Sequence, residues 1–126
     1  MTLEEFVRDP ARSAWIRYGT LKVYVRKSWR SVGDGTLFHV IDVANITNVR
    51  RPMNTARRVR PRRTGQLRAF DDAVRRVAQA HGFDGVFWEN VLNEFLPDVL
   101  IRYGYAPCNE RCFIWACAEG SAAAAD

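Results

Sequence analysis

Leu21, Val23, Val25 and Trp29 alternate with Lys22, Tyr24, Arg26 and Ser28. A spacing of two puts successive side chains on opposite faces of a pleated backbone, so this stretch predicts a half-buried strand. Residues 31–36 (SVGDGT) hold two glycines and an Asp-Gly pair, residues suited to a turn. A second strand is expected over about 37–48, and the two read as a hairpin. Its centre, LFHVIDV, is more continuously apolar, as in a central strand covered on both faces. Upstream, Leu3, Phe6, Val7, Trp15 and Ile16 gather around a break at Pro10 and predict one or two short helical pieces over 3–18.

Further along, the period changes. Leu67, Phe70, Val74, Val77 and Ala78 form a stripe at helical spacing, beginning near Thr64 or Gly65 and ending at Gly82. Asp71–Arg75 and Asp72–Arg76 are i,i+4 pairs, expected on the exposed side of this helix. A third strand is predicted over 85–91 (GVFWENV) and a second helix over 94–102. Pro97 fits the first turn of that helix, where a missing N–H has no intrahelical partner to lose, and Gly104 closes it in the left-handed region. Residues 105–108 and 112–117 predict terminal strands around a turn at 109–111. Helices between strands imply an α/β (α+β) class with a mixed sheet, and the β–helix–β unit makes its two strands parallel. Residues 1–120 read as one domain, and 121–126 (the end of the Ala-rich tail) as disordered.

The chain has 126 residues, 48% of them hydrophobic and 26% charged, which excludes a disordered or collagen-like chain. No apolar run is long enough to span a bilayer, and the N-terminus has acids where a secretory signal needs bases. The expected setting is therefore cytoplasmic. The net charge of +5 is uneven: eight arginines and no acid lie between Arg50 and Arg68, while the remainder is mildly acidic. The stretch 50–64 contains two prolines and no periodicity, so it is expected to be a long basic loop. Arginine offers a planar fork to phosphate or carboxylate. The stretch has no interleaved aromatics and no basic helix, so nucleic acid is not its expected partner; an acidic protein docking at 50–68 is the alternative. Cys108, Cys112 and Cys117 fit neither a disulfide framework nor a common zinc spacing, and no metal is expected.

A helix start preceded by glycine and flanked by arginines is suited to a pyrophosphate, because its first N–H groups are unpaired and positively polarised. The segments IDVANITNV, RRTGQLRAF, VFWENVLN and RYGY, in that order over about 37–107, resemble the GCN5-related N-acetyltransferase (GNAT) superfamily. The resemblance implies a GNAT-like fold with a shortened N-terminal half, acetyl-CoA as cofactor and an amine as acceptor. The family's pattern R/Q-x-x-G-x-G/A is met here by Arg60 and Gly65, whereas Arg63 stands at the first glycine position. On this reading Arg60, Arg62, Arg63, Thr64, Gly65 and Gln66 hold the cofactor's phosphates, and Asn93 meets its pantetheine arm. The family often carries a tyrosine four residues before the helix-ending glycine; here that residue is Leu100.

A base that accepts a proton from an ammonium group is sought among the carboxylates of the sheet. Asp42 lies mid-strand among apolar neighbours, and Glu89 lies near the end of the third strand, where the family parts two strands to admit cofactor. Each has a structural alternative, a carboxylate paired with arginine. His39 is read as packed or solvent-facing, and Trp88 and Trp115 as core. Two functions follow: an acyl-CoA-dependent N-acetyltransferase, or a non-catalytic protein on the same scaffold that docks through its arginine-rich loop. Small phage proteins, including virion-associated ones, are a setting in which the resembling scaffold occurs.

Overall fold

The computed structural model describes residues 1–32, 36–48, 65–89, 96–109 and 111–117. In chain order the elements are α1 (Leu3–Arg8), β1 (Ser13–Tyr18), β2 (Leu21–Val32), β3 (Thr36–Asn48), α2 (Gln66–Ala80), β4 (Gly85–Trp88), α3 (Leu96–Arg102), β5 (Ala106–Asn109) and β6 (Cys112–Ala116). The strands form one mixed sheet in the order β1-β2-β3-β4-β6-β5. Its one parallel pair among the described strands is β3–β4, bridged by α2 as the β–helix–β pattern predicts. The protein is thus an α/β chain with a six-stranded mixed sheet flanked by helices.

Residues 13–18 correct the expectation of a second helical piece. They form edge strand β1, antiparallel to β2, because Ala14, Ile16 and Tyr18 share the inward face with Val25, Val23 and Leu21. A period of two, not helical spacing, buries that set. The i,i+4 pairs of α2 also differ from expectation. Asp71 is 1% exposed and its Oδ2 lies 2.9 Å from Arg75 Nε inside the protein, while Asp72 pairs with Arg68 rather than Arg76. Among the cysteines, Cys117 is buried but Cys108 is exposed.

Strand register sorts the side chains cleanly. Leu21, Val23 and Val25 of β2, Ile41, Val43 and Ile46 of β3, Val86 and Trp88 of β4, and Phe113 of β6 point to one side. The same cluster contains residues of α1 (Leu3, Phe6), α2 (Phe70, Val74, Val77, Ala78) and α3 (Leu96, Leu100), so all three helices cover that side. Their capping follows the sequence. Thr2 and Glu5 form a reciprocal capping box on α1, and Gly104, at φ +97°, follows α3. At the far edge of this core His39 stacks between Trp29 and Phe83, with centroids 4.6 and 4.5 Å apart, so it is packed as expected.

Two glycines separate steric need from backbone need. A Cβ on Gly85 in β4 would lie 2.2 Å from the Trp115 carbonyl oxygen of β6, and neither backbone can move aside. Gly82 has open space around it but sits at φ +78°. Gly85→Ala should therefore cost about 3 kcal/mol, the upper end of overpacking effects. Gly82→Ala should cost roughly 1 kcal/mol for left-handed backbone alone. Urea or thermal unfolding of both variants checks the order; equal losses would mean that β4 and β6 do not approach this closely.

Candidate functional site

On the side of the sheet opposite the helices, the register places Arg26 of β2 beside Asp42 of β3, and Asp42 beside Phe87 of β4. Asp42 is fully buried. Its Oδ2 accepts from Arg26 Nη2 at 3.2 Å, from Arg30 Nη2, and from Ser28 Oγ at 3.4 Å. The same two arginines reach past β3 to Glu89, which follows β4: Arg26 donates to Oε1 and Arg30 to Oε2. Arg30 also lies over the Phe87 ring, 4.7 Å from its centroid. The four residues form one charge-paired grid, with about a third of each arginine side chain and a fifth of Glu89 still exposed.

The two candidate bases therefore lie together, as neighbours in one network, but in unequal positions. Only Glu89 presents a carboxylate to solvent. Burial, followed by the nearby Asp42 charge, pushes the Glu89 carboxyl above its usual range, against the pull of Arg26 and Arg30. For Arg30, burial works against the charged form, but Asp42 and Glu89 outweigh it and hold the guanidinium above its ordinary value. Arg26 Nε, Arg30 Nε and Asp42 Oδ1 are buried without a hydrogen-bond partner. Neither arginine stood out in the sequence, though both lie on the polar face of β2. A hairpin centred on the glycine pair at 33 and 35 puts Arg26 opposite Asp42 by register alone.

The helix start behaves differently at its side chains and its backbone. Gly65 is the N-cap of α2, at φ +78°, with no side-chain cap and nothing within 4 Å of a built Cβ. Its carbonyl accepts the first intrahelical bond, from Ala69 N–H at 2.9 Å. Gln66 uses its amide on the β1–β2 turn: Oε1 accepts from Thr20 N–H, and Nε2 donates to Thr20 Oγ1 at 2.9 Å. That side chain holds the turn to the helix, leaving backbone groups as what this position offers an anion. Arg60, Arg62, Arg63, Thr64 and Asn93, like the basic loop and the tail, lie outside the described residues.

Three further positions bear on acyl transfer. Leu100 is fully buried in the core. Tyr105 is 3% exposed; it accepts from Trp88 Nε1 at 2.9 Å and donates to Asp71 Oδ1 at 2.7 Å. Burial, then the adjacent Asp71 carboxylate, raises its phenol well above the ordinary value, so it stays protonated and enclosed. Tyr103 is half-buried under the Arg68 guanidinium, 4.7 Å from its ring centroid, and burial raises its phenol too. Among the described residues no cluster of three or more His, Cys, Asp or Glu is arranged to hold a metal ion. No described helix is long and apolar enough to cross a membrane.

No family model matches the chain, and no curated protein matches it. Among solved structures, a chain in the crystal structure of the KacTA–DNA complex is similar in fold, with a TM-score of 0.54 and 13% identity. The match covers 85% of this chain but only 64% of that one. At this identity the likeness is one of architecture.

Two outcomes follow from the grid. Asp42→Ala removes the shared acceptor and should destabilise the protein by roughly 3 kcal/mol, the lower end for breaking a buried pair because Glu89 remains. The raised Glu89 carboxyl means that the folded chain binds its proton at higher pH than the unfolded chain, whose value is near 4.5. The stabilisation from that proton is complete below the unfolded value and is lost as pH rises through the folded one. The stability of wild type relative to Glu89→Gln should therefore fall as pH rises from that value. Urea unfolding across pH 4–7 reads it, and a difference that grows with pH would give the arginines the larger influence.

Proposed function

We propose that this chain is an acyl-CoA-dependent N-acyltransferase acting on an amine. One observation carries the reading. Among the described residues the parallel β3–β4 ladder ends at Val43 and Trp88, with Glu89 N–H still donating to the Val43 carbonyl at 3.2 Å, while β3 runs on to Asn48. At that end of the sheet the uncapped start of α2 lies on the helix side, and Glu89 lies on the other. An anion binder and a proton acceptor thus flank one interstrand end.

Acyl-CoA fits the residues present. The first turn of α2, whose N-cap Gly65 supplies no side-chain cap, presents the positively polarised end of a helix to its pyrophosphate. Arg60, Arg62, Arg63 and Thr64 precede this turn and supply further donors, and Asn93 is the candidate for the pantetheine arm. When bound, the group supplies a thioester whose acyl carbon an amine can attack. Glu89 accepts the proton that an ammonium must lose before it becomes nucleophilic, and its raised pKa brings it closer to neutral pH for that task. Asp42, wholly enclosed, acts through Arg26 and Arg30, which set the position of Glu89. Its role is positioning.

A second reading has its own support. Both carboxylates are already neutralised by arginine, and Leu100 fills the core where the resembling enzymes carry tyrosine. A non-catalytic protein that keeps the scaffold and binds an acidic partner needs no free base and no acid.

Melting with and without millimolar acetyl-CoA separates the two. A ligand at a hundred times its dissociation constant stabilises by about 2.7 kcal/mol, a shift of several degrees for this length. With acetyl-CoA and a primary amine, Glu89→Gln should reduce the transfer rate by roughly a hundredfold or more while the melting shift persists. No melting shift would leave the non-catalytic reading.

A further inference from the structure

The aromatic groups that the arginine-rich stretch lacks stand on the side of the sheet opposite the described helices. Cross-strand register aligns Trp15 of β1 with Tyr24 of β2, and in the next row Arg17 with Lys22. Trp15 is 46% exposed. Its ring lies 5.1 Å from that of Tyr24 at 45°, and the Lys22 ammonium sits 5.1 Å over the indole. The Tyr24 hydroxyl donates to Ser13 Oγ at 2.9 Å, which holds the pair in place. These two rows contain no acid on β1 or β2, and neither Arg17 nor Lys22 has an ion pair among the described residues.

Position adds charge. Asn48, at the end of β3, pairs with Leu21, the neighbour of Lys22. Gln66 is bonded to Thr20. The chain that carries seven arginines between those two points is therefore anchored at both ends beside the β1–β2 turn. The two described rows favour an anionic ligand.

We propose that Trp15, Tyr24 and Lys22 form a stacking platform for single-stranded nucleic acid. A nearly half-exposed indole can take an unstacked base in place of the Lys22 ammonium now over its ring, and the displaced ammonium then meets the phosphates. Duplex nucleic acid hides base faces in its own stack and cannot use the indole this way. An acidic peptide would use the cations alone and leave Trp15 without a role. The platform shares no residue with the Glu89 grid or the α2 start, so it stands whether or not acyl transfer does.

The test uses the full chain with a fluorescein-labelled oligothymidylate of about 20 nucleotides, read by anisotropy and by tryptophan quenching. Wild type should bind at about 50 mM salt and weaken steeply at about 300 mM. Trp15→Ala should weaken binding roughly tenfold and remove most of the quenching, and Trp15→Phe should recover most of the affinity. Lys22→Gln should weaken it more modestly and lower the salt slope by about one. Because Trp15 is nearly half exposed, melting should confirm that these variants stay folded. Equal affinity of Trp15→Ala and wild type would overturn the proposal, since binding would then rest on charge elsewhere. So would tighter binding to a duplex of the same length, equal displacement by polyglutamate, or no binding at about 100 μM protein.

Discussion

The three described helices all pack against one side of the sheet, and on the other side two arginine side chains enclose the buried carboxylate of Asp42. Arg26 and Arg30 extend from β2 across β3 to Glu89 at the end of β4, lying over Asp42 and, for Arg30, the ring of Phe87. Enclosing Asp42 without cations would cost several kcal/mol, and guanidinium suits the task because one planar group can address two carboxylates. The grid also braces the sheet where it is weakest. Parallel pairing is slightly less stable per residue than antiparallel pairing, and β3–β4 is the parallel ladder. Both arginines tie its two carboxylates to a third strand.

The helix side has its own polar thread. Trp88 of β4 donates to Tyr105, Tyr105 donates to Asp71 of α2, and Arg75 pairs with Asp71 while lying over the rings of Tyr105 and Trp115. A buried carboxylate costs least when donors and a cation meet its oxygens; here Oδ1 accepts from Tyr105, while Oδ2 faces the Arg75 charge without a hydrogen bond. It joins α2 to the sheet by directed bonds where the surrounding contacts are apolar. The same thread explains why Tyr105, just after the helix-ending glycine, serves structure: its hydroxyl is already committed on both sides. On the opposite side of the sheet, Glu89 retains some contact with water.

Much of the fold was legible from periodicity and turn chemistry. The 21–48 hairpin, the α2 stripe from Leu67 to Ala78, the parallel crossover and the closing role of Gly104 all follow from local rules, because one stripe or one alternation fits only one element. Residues 13–18 were harder. Trp15 and Ile16 are adjacent apolar residues, and adjacency suits neither period until it is known that Trp15 remains outside. Asp71 was misjudged for a related reason: a charged residue on a helix is ordinarily solvated, and only Tyr105 and Arg75, 34 and 4 positions away, make its burial tolerable. Asp42 and Glu89 could be picked out singly as carboxylates on strands. That both would share two arginines required the strand order as well as the hairpin register.

The amino-acid sequence alone determined the element types from Leu21 to Gly104 among the described residues, the class of fold, the concentration of arginine between positions 50 and 68, and the glycine that opens α2. These properties depend on neighbours a few residues apart, where spacing, backbone preference and composition act directly. Tertiary structure decided which face of the sheet the described helices cover, which carboxylate keeps an exposed edge, and that Gln66 serves the β1–β2 turn. It also set Trp15 and Tyr24 in one exposed row. Such outcomes turn on contacts between residues far apart in the chain. Their energies depend on burial and on the partner that arrives, and neither exists until the strands have paired.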